Sequence, residues 1–120
     1  MQGVTMAVDQ NLFNSMPDVI GAAQQIRRGD ISSEKLVGNC LQQIKSHNPT
    51  LNAFGDVYDE QAMEVAKSCD RERQSGKSRG PLHGVPFGVK DLFSTAGLRT
   101  TKGSLTSLDN VPEHDAPIIE

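Results

Sequence analysis

Aromatic residues are scarce in this 120-residue chain, which has no tryptophan, one tyrosine and four phenylalanines. Single-stranded nucleic acid is bound largely by stacking bases on aromatic rings, so that class of function is disfavoured. Basic charge is in short supply as well. Fifteen acidic against twelve basic residues leave a net charge of −3, the wrong sign for a phosphate backbone. No stretch approaches the ~18 consecutive apolar residues that suggest a membrane span. The opening MQGVTMAVDQNLFN lacks the basic region and apolar run of a secretory signal. The two cysteines, Cys40 and Cys69, fall on separate predicted helices. They need not pair, and a reduced, cytoplasmic setting is the expectation.

Missing motifs narrow the chemistry further. His47, His83, His114, Cys40 and Cys69 are scattered without ligand spacing, so no metal is expected. There is no G-x-x-x-x-G-K-[ST] phosphate loop and no G-x-S-x-G elbow, and no organic cofactor is implied. The length fits one domain. An apolar content of 36% and a mean hydropathy of −0.43 are low for a complete α/β core.

What is present begins as helices. Residues 1–14 read as a flexible lead. Ser15 and Asp18 can form a capping box for a helix to Arg28, with Val19, Ala23 and Ile26 on one face and Gly29 as the stop. A second helix follows a Ser32 cap, with an apolar stripe of Leu36, Val37, Cys40, Leu41 and Ile44, and is stopped by Asn48-Pro49. Residues 51–58 read as a strand. Asp59 is placed to cap a third helix to about Gln74, with Ala62, Val65, Ala66 and Cys69 inward. Arg71-Glu72-Arg73 reads as a solvated face. There is no internal repeat.

The segment Gly80–Ser104, GPLHGVPFGVKDLFSTAGLRTTKGS, is the most specific in the chain. Val85, Phe87 and Val89 alternate with Pro86, Gly88 and Lys90, so a strand would set the Val/Phe face against the core and Lys90 on the other. Asp91 would then lie on the opposite face from Lys90, unable to neutralise it. A lysine ending a strand is most often a solvated charge. His83 reads as a hydrogen-bonded structural residue rather than a member of a Ser-His-Asp set with Asp91.

Taken together, Gly80-Pro81-Leu82-His83-Gly84-Val85-Pro86, Val89-Lys90-Asp91 and Gly97-Leu98-Arg99-Thr100-Thr101-Lys102-Gly103-Ser104 closely resemble the amidase signature family. Glu113-His114-Asp115-Ala116-Pro117, Gly29-Asp30-Ile31-Ser32-Ser33-Glu34 and Leu51-Asn52-Ala53-Phe54 extend the resemblance over most of the chain. It implies an α/β fold, a mixed central sheet flanked by helices, of which this chain would hold about three helices and a few strands. It also implies hydrolysis of carboxamide C–N bonds by a Ser-cisSer-Lys triad, with Lys90 as the catalytic lysine and a small-molecule amide as substrate. No metal or organic cofactor is implied.

The family carries its two serines in a downstream segment like G-G-S-S-G-G, which nothing here matches. Ser32 and Ser33 are better explained as a helix cap, and Ser104 belongs to the family's turn. The expectation is therefore that residues 15–120 form the N-terminal part of one catalytic domain, cut after residue 120 and inactive alone. Asp115-Ala116-Pro117-Ile118-Ile119 has the pattern of a helix start with no continuation. Three alternatives stand beside the amidase reading. One is the amidase-like component of a glutamine-dependent tRNA amidotransferase, the only case in which a nucleic-acid partner is expected. Another is a non-catalytic interaction module, and the third a small autonomous hydrolase using a histidine triad. The sequence leaves the substrate and the oligomeric state open.

Overall fold

A computed structural model describes residues 17–120. Ser15 and the lead at 1–14 lie outside the described residues. Three helices follow in order, α1 (Val19–Arg28), α2 (Ser33–Leu51) and α3 (Asp59–Gln74), then a 3-10 turn at Leu105–Ser107. Among the described residues there is no strand and no sheet. The expected α/β architecture is therefore corrected to a helical one with long irregular segments.

The helices arise where capping chemistry places them. Asp18 is itself the N-cap of α1, its carboxylate accepting the Gly21 N–H at 2.6 Å. Gly29 ends α1 at φ +79°, its N–H reaching the carbonyls of Gln25 and Ile26. Ser32 caps α2 by accepting the Lys35 N–H at 3.0 Å. α2 then runs past the expected stop at Asn48-Pro49. Pro49 sits in the last turn, where it forfeits only one hydrogen bond, and Asn52 closes the helix in the left-handed region. Tyr58 rather than Asp59 occupies the N-cap position of α3, and its side chain makes no capping hydrogen bond. Asp59 is the first helical residue, where its charge, with that of Glu60, suits the helix dipole.

The core is small. Ala22 and Ile26 of α1 meet Leu36 of α2, with Ile31 and Val85 packed against them. Val37, Ala66 and Cys69 are also buried, as the helical spacing predicts. Val19 and Val65, expected inward, are 57% and 53% exposed. A buried carboxylate takes up the space beneath α2: Asp70 accepts the N–H groups of Ser33 and Glu34 at 2.8 and 2.9 Å, two donors that a helix start leaves unsatisfied.

Both expected strands fail for identifiable reasons. In 52–58, the Asn48 side chain donates to the Phe54 carbonyl at 2.9 Å and accepts the Phe54 N–H at 2.8 Å. Those are the two groups that a neighbouring strand would need. Val85–Lys90 has no regular secondary structure, and turns bracket it. Val85 N–H bonds the Leu82 carbonyl, and the Lys90 carbonyl accepts from Leu92 and Phe93. Among the described residues no second segment pairs beside it, and one run of alternating residues alone makes no ladder. Its Val/Phe face is accordingly not core: Phe87 is 71% and Val89 40% exposed, and Val85 alone reaches the cluster. At the other end, Pro117–Ile119 forms a turn rather than a helix, and the Asp115 carboxylate accepts the Ala96 N–H at 2.6 Å.

Two measurements check this packing. Gly84 has φ +77°, and a Cβ there would lie 3.0 Å from the Ser33 side chain. Gly84→Ala is expected to cost about 1–3 kcal/mol in urea unfolding of the full chain, and no loss would refute the tight approach. Beside it, Arg79 grips Glu72 through two bonds of 2.6 and 2.8 Å and holds the Glu72 carboxyl at about 2 against an ordinary 4.5. A depressed acid stabilises above its unfolded value. The clasp is therefore whole above pH 4.5 and opens as pH falls through about 2. Carboxyl NMR of Glu72 should show that low midpoint, returning toward ordinary in Arg79→Gln.

Candidate functional site: the Lys90 segment

The path to Lys90 starts at His83-Gly84. The His83 ring accepts the Arg79 N–H at Nδ1 (3.0 Å) and faces the Cys69 carbonyl with Nε2 (2.8 Å). An N–H on one side and a carbonyl on the other fix the neutral Nε2–H tautomer. His83 is thus the structural residue its surroundings suggested, holding the chain to α3. One residue on, the Ser33 hydroxyl donates to the Gly84 carbonyl at 2.6 Å. Gly84 is needed both for its positive φ and for this approach. From that anchor Val85 enters the core and Pro86–Lys90 runs out to the surface.

Lys90 is exposed, and among the described residues its ammonium makes no hydrogen bond or ion pair. Its neighbour is fully committed. The Asp91 carboxylate accepts the Thr101 N–H at 2.7 Å and the Thr101 hydroxyl. These bonds, the hydroxyl's first, hold the Asp91 carboxyl below its usual range. Sequence reasoning separated Asp91 from Lys90 by strand alternation. The structure separates them by giving Asp91 another partner.

Thr101 opens a tight turn closed by the Ser104 N–H on the Thr101 carbonyl at 3.0 Å. Lys102 and Gly103 carry φ of +55° and +68°, the pair of left-handed residues that a type I′ turn requires. Preceding it, Thr100 is 2% exposed, and the Asn110 side chain donates to its carbonyl at 2.9 Å. Arg99 forks onto Asp56 at 2.6 and 2.8 Å and gives its N–H to the Tyr58 hydroxyl at 3.0 Å. The Arg99 bonds lower the Asp56 carboxyl and raise the guanidinium in turn. The Thr-Thr-x-Gly-Ser turn is thereby fastened to Lys90's neighbour on one side and to the 52–58 loop on the other.

Sequence reasoning missed Asp70, Asn48 and the Asp56–Arg99 pair. Asp70 had a signal, because it falls four residues after Ala66 on the inward stripe of α3. Asn48 and Asp56 had none. Among the described residues no three His, Cys, Asp or Glu side chains gather to hold a metal. Leu82, Phe87, Leu92 and Phe93 stand 36–71% exposed along the segment that carries Lys90.

A sequence profile of the amidase family, described as Amidase, matches residues 35–120. The A-type subunit of the glutamyl-tRNA(Gln) amidotransferase of Chloroflexus aurantiacus is 36% identical over 102 residues, covering 85% of this chain and 21% of that protein. The protein of the same name from a Synechococcus strain is 38% identical, over 81% of this chain and 20% of its own length. An acylamidase of Rhodococcus erythropolis is 32% identical, with 82% and 20% covered. A solved structure from an inhibitor-bound vestigial protein complex, bearing on the origins of an s-triazine catabolic enzyme, superposes with a TM-score of 0.80 at 27% identity. The match takes in 86% of this chain and 23% of that one. The chain spans about a fifth of the length of the curated relatives it matches. No helix among the described residues is long and apolar enough to cross a membrane. The profile match and these relatives place the chain in the amidase signature family.

Proposed function

We propose that this chain carries the lysine base of a Ser-cisSer-Lys amide hydrolase, with Lys90 in that role and both serines supplied from outside these 120 residues. The observation that carries the reading is the commitment of Asp91 to Thr101, which leaves the Lys90 ammonium without a carboxylate partner among the described residues. A lysine becomes a base by losing solvent without gaining a counter-charge. Phe87, Leu92 and Phe93 are the apolar surface that a covering layer would pack against. In the complete site the neutral amine takes the proton of the bridging serine, which takes that of the nucleophilic serine as it attacks the amide carbon. The proton returns along the same path to the leaving nitrogen when the C–N bond breaks.

A second reading, the amidase-like component of a glutamine-dependent tRNA amidotransferase, is favoured by the names of relatives that are 36% and 38% identical. It keeps Lys90 in the same role and differs in substrate and partners. Glutamine as the preferred amide, with dependence on partner subunits, would select it over a free amidase acting on small carboxamides.

The purified 120-residue chain is expected to release no ammonia from glutamine or simple carboxamides, and Lys90-dependent release would overturn this. Residues 17–120 grafted in place of the matching segment of the Rhodococcus acylamidase should restore hydrolysis. In that graft Lys90→Ala should lower kcat/KM by about 10²–10⁴-fold with the fold intact by circular dichroism. Retained turnover sinks the assignment. Asp91→Asn and Thr101→Val should each lower kcat/KM about tenfold, and the double variant no further, because both remove the same clamp.

A further inference from the structure

We propose that a pocket between the C-terminal ends of α1 and α3 binds a small oxyanion, a carboxylate or phosphate group, through Arg27, Arg73 and Lys77. The pocket measures about 260 Å³, and Ala23, Ile26 and these three cations are among the residues that line it. No Asp or Glu lines it. The nearest acid in sequence to Arg73, Glu72, is already held by Arg79 through both oxygens.

Basic residues in a last helical turn ordinarily serve the helix dipole. That explanation is insufficient for Arg73, because its Nε is buried and has no hydrogen-bond partner among the described residues. A guanidinium serving a helix end would spend that N–H on a carbonyl. At those ends the Gly29 N–H takes the Gln25 and Ile26 carbonyls of α1, and the Ser75 N–H those of Arg71, Glu72 and Arg73 on α3. Gly29 makes room for the arrangement, since a Cβ there would come within 3.1 Å of Arg73 Nη1. A buried guanidinium N–H with two further cations beside it is complementary to an oxyanion, which Arg binds in a fork. The volume exceeds one such group and admits a small organic body with it. The pocket is also lined by Gly80, Pro81 and His83 at the start of the signature segment but not by Lys90, and the anion titration reads Arg73 without requiring turnover.

The test is a ¹⁵N NMR titration of the full chain with sodium phosphate and, separately, sodium acetate, with sodium chloride holding ionic strength constant. The Arg73 Nε–H resonance, identified by its absence from Arg73→Lys, is expected to shift saturably with at least one of the two. Saturation by phosphate alone or by acetate alone supports the site and names the class of ligand. Lys77→Gln and Arg27→Gln, both at exposed positions that leave the fold intact, should each weaken binding about tenfold. A response to both salts no different from that to chloride overturns the proposal. So does saturable binding that neither substitution weakens.

Discussion

The signature segment depends on one buried carboxylate. Asp70, in the C-terminal half of α3, receives the first two N–H groups of α2, so a charge in a dry position meets the positive end of a helix. A carboxylate buried without such donors would be strongly destabilising. With them it welds α2 to α3. The weld also aims Ser33, whose N–H is spent on Asp70 and whose hydroxyl holds Gly84. His83 adds the Cys69 carbonyl from the same stretch of α3. Three pieces of chain, distant in sequence, are joined within a few residues of one another, and Val89-Lys90-Asp91 starts from that point.

Beyond Gly84 the fastening changes in kind. Asp91–Thr101, Asp56–Arg99, Asn48–Phe54 and Asp115–Ala96 are side-chain clasps at exposed positions. Solvent and salt weaken such contacts, and exposed ion pairs contribute little to stability. Their value is geometric, because each fixes a register between segments that no helix or sheet connects. The segment is thus firmly rooted at Gly84 and lightly held at Thr101.

This division explains what the sequence made legible. Helices announce themselves locally: Ser32, Gly29 and the stripe from Leu36 to Ile44 are readable because cap and face lie within a few residues of each other. Strands do not, since a strand is a property of two segments and alternation in Val85–Lys90 specifies only one of them. The Asn48 clasp across the end of α2 is equally non-local in effect, needing Asn52 to turn left-handed before Phe54 can fold back. Lys90 itself is singled out by its place in Val89-Lys90-Asp91, the element that carries the family resemblance. Burial and charge gave no sign of it, and the structure finds it in the open.

An open lysine among exposed apolar side chains has a physical logic of its own. Keeping an amine neutral near pH 7 costs about 4 kcal/mol relative to its solvated charge. Burying one large apolar side chain returns about 1.5–3 kcal/mol. Phe87, Leu92 and Phe93 stand within three residues of Lys90 and retain much of their surface in water. Already partly buried, the three together have about one and a half side chains' worth of surface left to cover, a return of about 2–5 kcal/mol, comparable to that penalty. A polar rim would leave that penalty uncompensated and keep the ammonium charged. The apolar neighbours thus favour the kind of covering layer that the role proposed for Lys90 requires.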